Sequence, residues 1–521
     1  ASVSGAIRKA GYNEFRFQWR GQDTTFAPAS QAPAVLVLNA FDAGGAQIAG
    51  SQTTAEIEIA DDLDVAIGRH ALRAGVLFEG GRYQDDVLRN GTGTFTFASL
   101  AAFAAAQPTT FTQNIGNPLV AASQVRAGIY VQDDFRLRKE LTLSGGVREE
   151  TQQQIGTLNF GPRGGLSWSP FKNGKTTIRG GGGLFFDWFD AQSYEQAVQL
   201  DGTHQQIETI VQPGYPNPTG GGRALVLPTG RVQLSADLVQ PVIKEASVAV
   251  DRQLPGNVRV SAMFVRRRGS HGLRGVNLNA PGPDGSRPDP TAGPITGIES
   301  IASSSFDGMF LNLNYARPEQ RIFVGMNYAL SKSIDETDGP FALPADSSNL
   351  AAERGPSATD ARHRFTSLAS FPLVKRLMVG TAVRVQSALP YNITTGLDDN
   401  GDTVSNDRPA GVTRNSARGS MLVDIGARVT WTIGFGGAPR TGPNVPQVNI
   451  IRGGDADPLR SMPSGQPTES RYRIELYAQG YNLTNHLNAL NFSGVESSPF
   501  FGRPTSAAAP RRIELGARLM F

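Results

Sequence analysis

The stretch Leu397–Pro409, LDDNGDTVSNDRP, is the sharpest chemical feature of the sequence. Asp398, Asn400 and Asp402 stand at alternating positions, with Asp399 and Asp407 nearby. Carboxylates two residues apart on a glycine-containing loop can converge on one hard cation, and calcium takes about six to eight oxygens. The EF-hand order is not met, because Gly401 precedes the third acid and no bidentate Glu closes the loop. Two readings stand: a calcium site of Asp398, Asn400, Asp402 and Asp407, or a turn whose side chains cap backbone amides.

Other reactive residue types are scattered. His70, His204, His271, His363 and His486 lie far apart, and HExxH is absent. No Ser/His/Asp arrangement can be read from spacing, so no catalytic residue is assigned and the chain reads as a non-enzyme. Gly180–Gly183 lacks the Lys-Ser/Thr of a phosphate loop and sits in a strand pattern, where glycine lets a wall bend or its surroundings approach the backbone. Arg266, Arg267 and Arg268 form a dense basic run, read as a strand end at an outer rim meeting anionic headgroups. Cysteine is absent, which removes disulfides and thiolate metal sites. A net charge of +3 over 521 residues argues against nucleic acid as a partner.

The elements that carry these residues alternate with period two. In Arg511–Phe521, RRIELGARLMF, the apolar Ile513, Leu515, Ala517, Leu519 and Phe521 oppose Arg512, Glu514, Gly516 and Arg518. A barrel in lipid houses both faces, apolar residues against acyl chains and charged ones in a wet lumen. The same rhythm marks 125–137, 140–150, 159–169, 175–187, 245–254, 257–267, 305–317, 321–331, 363–373, 377–387, 420–433 and 471–484. Residues 1–124 give less regular early strands, at Tyr12–Gly21, Ala55–Ala60, His70–Gly80, Thr92–Ala98 and Pro33–Phe41, with an Ala-rich helical turn at Leu100–Ala106. No apolar run reaches the roughly 18 residues of a helical span. Residues 1–521 therefore read as one transmembrane antiparallel up-and-down β-barrel of about 18 to 22 strands.

Connection lengths test this independently, since outer-membrane barrels have short periplasmic turns and long outer loops. With the last strand running inward, the turns Leu137–Glu140, Phe171–Gly174, Leu254–Asn257, Arg317–Gln320 and Leu373–Arg376 all fall on the periplasmic side. The long stretches 188–244, 268–304, 332–362, 388–419 and 485–510 fall outside. Only 434–470 is long yet periplasmic by parity. Trp168, Trp188, Trp431, Tyr472 and Phe521 lie near strand ends and suit interfacial aromatic girdles, as do Phe185 and Phe435.

Several segments resemble the barrel of TonB-dependent outer-membrane transporters of the Oar-like group. They include Tyr130–Phe135 (YVQDDF), 141–150 (LTLSGGVREE), 162–171 (PRGGLSWSPF), 176–187 (TTIRGGGGLFFD) and 360–365 (DARHRF). The acidic loop 398–416, 481–492 (YNLTNHLNALNF) and 501–521 add to the likeness. The resemblance implies a barrel of about 22 strands in the bacterial outer membrane, gated by a plug and taking up a bulky substrate. It implies as partners outer-membrane lipid, the barrel-assembly machinery through the C-terminal strand, TonB through a plug, and an unknown substrate. No plug, TonB box or N-terminal sandwich can be placed here, so the chain reads as the C-terminal barrel portion of a longer precursor. The alternatives are a structural or adhesive outer-membrane barrel, or a passive porin, without active transport.

Overall fold

Alternating side chains need two different surroundings on the two faces of a strand, and the computed structural model supplies them by rolling the chain into one wall. It describes residues 1–7, 11–45, 48–220, 224–437, 459 and 472–520. The principal sheet has nineteen strands, and setting aside two short ones, Arg231–Leu234 and Gly355–Pro356, leaves a seventeen-strand meander. Its first half is β1 (Ser2–Ile7), β2 (Gly11–Phe26), β3 (Ile48–Ile67), β4 (His70–Arg89), β5 (Val120–Arg138), β6 (Leu141–Gln152), β7 (Ile155–Trp168) and β8 (Thr176–Phe186). Its second half is β9 (Val242–Leu254), β10 (Val258–Asn277), β11 (Ile295–Arg317), β12 (Ile322–Asp335), β13 (His363–Val374), β14 (Leu377–Gln386), β15 (Leu422–Phe435), β16 (Tyr472–Tyr481) and β17 (Arg512–Met520). Each strand pairs antiparallel with the next.

The register puts the polar set on one face and the apolar set on the other. On β15, Thr430 and Thr432 are buried inside, while Val429 and Trp431 are 38% and 50% exposed on the outer face. On β4, Val76 and Phe78 are exposed outside, whereas Arg73 and Tyr83 meet the carboxylates of Asp64 and Glu56 inside. A soluble protein would not leave so many large apolar side chains in water, and lipid is the solvent they fit.

Connections sort by end. One end carries the tight links, at 68–69, 139–140, 255–257, 318–321 and 375–376. The other end carries 27–47, 90–119, 187–241, 278–294, 336–362, 387–421 and 482–511, with the two-residue turn 153–154 between β6 and β7 an exception. The stretches Pro33–Phe41 and Thr92–Ala98, read above as strands of the wall, belong instead to a second, six-stranded sheet at the long-loop end. That sheet orders Leu225–Val226, Gln205–Val211, Thr110–Gly116, Thr94–Phe97, Ala34–Val37 and Phe41–Ala43. Three separate loops build it. It buries its own core of Val37, Phe95, Phe97, Phe111 and Ile210, with Tyr215 packed edge-on against Phe95 and Phe97.

Candidate functional site

The polar inner face is a row of paired charges. Arg16 meets Asp62 at 2.8 Å, Arg126 meets Glu79 at 3.5 Å and Arg148 meets Glu150 at 2.6 Å. Tyr130 donates to the same Asp62 at 2.6 Å. A recess of 340 Å³ opens among Arg16, Asp62, Arg73, Tyr130, Arg148 and Arg163. The Arg163 guanidinium lies 4.3 Å over the Phe185 ring. Its stem crosses Gly183, where a Cβ would stand 2.8 Å from Arg163 Cγ, so the glycine run makes room for an inward arginine.

A second recess, of 430 Å³, is lined by Asn314, Asn327, Thr366, Arg384, Asp424 and Tyr481. Leu459 closes one side, fully buried, and would stand 2.9 Å from a Cβ added at Gly426. This residue belongs to the connection between β15 and β16, long despite its place at the tight-turn end. That connection therefore puts at least one apolar side chain inside the barrel.

Above the lumen the outer loops are locked to the wall and to one another. Helix α1 (Leu100–Ala104) realises the Ala-rich helical turn, capped by Ser99. Helix α2 (Ala191–Gln199), unsignalled in the sequence reading, is capped by Asp190, which accepts from Ser193 N at 2.8 Å. Gln152, at the top of β6, takes both backbone groups of Phe189, donating at 2.6 Å and accepting at 3.0 Å. Gln199 donates to Pro118 O at 2.6 Å and Val87 O at 3.1 Å while accepting from Arg89 at 2.8 Å. Glu195, buried beside them, accepts from Gln52 at 3.3 Å. Burial, with the nearby Asp85 charge, pushes its carboxyl up to about 7.

Residues of the acidic loop, with Arg418 just beyond it, do the same for 336–362 and 387–421. Arg408 pairs with Glu353, Arg418 with Asp360 at 2.6 Å, and the buried Arg414 with Asp335 and Asp338. Asn406 donates to Leu343 O at 3.1 Å and Asn415 to Pro356 O at 2.8 Å.

The oxygen-rich loop itself is a set of capped turns. Asp398 accepts from Thr403 N at 2.9 Å, Asp402 from Val404 N at 2.9 Å, and Asp407 from Asp399 N at 2.7 Å. Asn400 accepts from Asp402 N at 2.9 Å and donates to Ala345 O at 2.8 Å. Burial raises Asp402 to about 6, and the charges of Asp398 and Asp407 push the same way; Asp407 is raised by burial too. The carboxylates are thus close enough to repel. Among the described residues, however, no group of three or more carboxylate or histidine side chains is already gathered as for a metal ion.

The structure places the remaining singled-out residues as follows. Trp168, Trp431 and Phe435 project outward at the tight-turn end of their strands, 44%, 50% and 45% exposed. Tyr472 stacks on Phe435 with ring centres 5.5 Å apart. Trp188 and Phe185 are different: Trp188 sits over inward-facing Arg126, 5.6 Å from its guanidinium, and Phe185 lies inside against Arg163. Neither serves as an outward anchor. Phe521 lies outside the described residues. The histidines stay apart, with His70 on Asp133, His204 on Asp201, His363 on Tyr328 and His486 on Met421 O.

Comparison with known proteins agrees with this geometry. The sequence matches the outer membrane beta barrel domain family over residues 8–159 and 151–514. No curated protein matches it. The outer-membrane transporter YddB from Escherichia coli has a similar structure, with TM-score 0.62, 13% identity, 99% of this chain and 61% of that chain covered. A mutant of the ferric enterobactin receptor PfeA from Pseudomonas aeruginosa gives TM-score 0.57 at 12% identity, over 99% and 60% of the two chains. The siderophore receptor PirA from Acinetobacter baumannii gives 0.56 at 11%, over 99% and 61%. This chain thus spans about three-fifths of the length of those structures, and at such identities the likeness is one of fold. A polar lumen inside an apolar outer face, long loops at one end, and a family match over nearly the whole sequence lead to one conclusion: the chain belongs to the outer-membrane beta-barrel family and is an integral protein of the outer membrane.

Proposed function

We propose that the chain is the barrel of a TonB-dependent transporter of the Oar-like type, taking up a bulky substrate through a plug-gated lumen. The observation that carries the reading is the outer mouth. Loops pinned by Gln152, Gln199 and Arg408 hold a fixed opening above a charged, recessed inner face. A preformed mouth of this kind captures its ligand without first ordering flexible loops, which lowers the entropic cost of binding. Capture by the loops is followed by rearrangement of a plug drawn by TonB. None of the chain's residues is assigned a catalytic role.

Calcium belongs to the same proposal. A carboxylate oxygen has two lone pairs, so Asp398, Asp402 and Asp407 can each cap an amide and still face a cation. Asp398 Oδ1 is buried without a hydrogen-bond partner. Asn400 would add a neutral oxygen, and the ion would relieve the repulsion that raises Asp402.

The test is the intact mass of the protein isolated from outer membranes, with peptide sequencing of its N-terminus. Plug peptides in a mass well above that of 521 residues support gated uptake. A mass equal to this chain removes the plug. The adhesive reading then takes over, favoured by the apolar-cored outer sheet, which is a rigid platform rather than a set of free loops.

A further inference from the structure

The basic run Arg266–Arg268 does not act as one patch, because neighbours on a strand point to opposite faces. Arg267 turns inward, where Nε donates to Glu245 at 2.6 Å and the guanidinium lies 5.8 Å over the Phe306 ring. Arg266 and Arg268 share the outer face with Phe264, which pairs with Val248 on one side and Met309 on the other. Those three apolar side chains are 44%, 48% and 38% exposed, and mark the lipid side of the wall.

Two lysines join the arginines there. Lys244 is directly opposite Arg268, and Lys332 is directly opposite Asp307, which is itself opposite Arg266. Directly opposed residues hold their side chains about 5 Å apart at the Cβ. Asp307 takes Arg268 at 2.9 Å and Arg266 at 3.7 Å. Glu336, farther toward the rim, is engaged by Arg354 at 3.0 Å. Four cations against the one carboxylate of Asp307 leave a strong positive excess.

Height decides what this excess faces. From Val258, just past a tight turn, β10 climbs to Arg266 over about 27 Å of strand, or about 20 Å of height at a tilt of about 40°. The apolar band of such barrels is about 25 Å tall. The cluster therefore stands at the band's outer edge, on the long-loop side, with its charged heads able to reach the headgroup layer.

We propose that Lys244, Arg266, Arg268 and Lys332 form a docking site for a phosphorylated lipid headgroup of the outer leaflet. Arg266 and Arg268 present planar forks that suit phosphate oxygens, and Asp307 between them is a positioning residue. The lysines add point charges at the flanks. The site opens sideways at the membrane boundary and not into the lumen, and Phe264 below it offers an acyl chain an apolar surface. Both features select a lipid over a soluble anion.

The test titrates the full chain in detergent with bis-phosphorylated lipid A, with the same lipid stripped of phosphate, and with inorganic phosphate, read by native mass spectrometry. Charge-assisted hydrogen bonds of this type are worth roughly tenfold in affinity, so the phosphorylated lipid is expected to bind at least about tenfold more tightly than the stripped one. Arg266→Gln with Arg268→Gln removes that preference, and Arg267→Gln leaves it intact. Lys244→Gln with Lys332→Gln weakens binding while sparing the ion pairs of Asp307, so its effect reads on lipid and not on folding. Equal binding of the two lipids overturns the proposal, as does equal damage from Arg267→Gln or effective competition by inorganic phosphate.

Discussion

Arg408 grips Glu353 with both terminal nitrogens, at 3.0 and 2.6 Å, across 55 residues of sequence. Both side chains are more than nine-tenths buried, and Glu353 also accepts from Ala345 N at 3.0 Å. A buried pair of this kind is weak evidence of net stability against an apolar replacement, but losing one partner strands the other. Glu353→Gln therefore destabilises the outer loops locally by about 3 kcal/mol or more, leaving Arg408 without its carboxylate while Arg414 keeps Asp335 and Asp338. Hydrogen exchange over 336–362 and 387–421 should accelerate while the barrel strands stay protected. Unchanged loop protection would remove this pair from the account of the mouth.

The outer sheet should fail independently of the wall. Phe95 is 1% exposed and packs against Phe111 and Tyr215 with ring centres 4.7 and 5.1 Å away. Phe95→Ala costs about 3–5 kcal/mol at a site of this burial. Protease cleavage within 27–47, 90–119 and 205–226 is expected, with the rest of the barrel resistant. Cleavage spread evenly over all outer loops would mean that the sheet is no separate unit.

Acidity should tighten the mouth. Glu195 and Asp402 have folded-state values of about 7 and about 6, above those of an unfolded chain. The folded state then holds the extra proton, so this contribution is full below about pH 4 and is lost as pH rises through 6 and 7. Amide exchange in α2 and 398–407, corrected for intrinsic rate, should be slower at pH 5 than at pH 8. Faster exchange at pH 5 would contradict the burial of these acids.

Calcium should act through the same loop. If Asp398, Asp402 and Asp407 hold the ion, calcium at about 100 times its dissociation constant adds about 2.7 kcal/mol and raises Tm. Asp398→Asn with Asp402→Asn should abolish the shift. A shift that survives both substitutions, or none in the unaltered chain, sinks the site.

Most of the wall was legible because one rule governs every strand in it. Met421–Ile433 and Ile513–Leu519 alternate so regularly that the face of each side chain follows from the pattern alone. The outer end obeys no such period. QQIETIV at Gln205–Val211 and AQSYEQAVQ in α2 take their structure from distant partners, Thr110–Gly116 in one case and Val87 with Pro118 in the other. Arg408 and Arg414 stand in a segment that family likeness singles out, as does Asp360 in DARHRF, yet their partners Glu353 and Asp335 lie 55 and 79 residues away with no local mark. Trp188 misled for a related reason: its position just past β8 looks like a girdle, and only the fold turns it toward Arg126.

A meander reverses at every turn, so its odd-numbered strands all travel in one direction. β1 and β17 are both odd, and among the described residues no ladder joins them. A seam made directly between the two would be parallel, with slanted bonds unlike those of every neighbouring pair in the meander. Closing the circle antiparallel takes an odd number of strands between them. Direction alone thus constrains what can complete the ring.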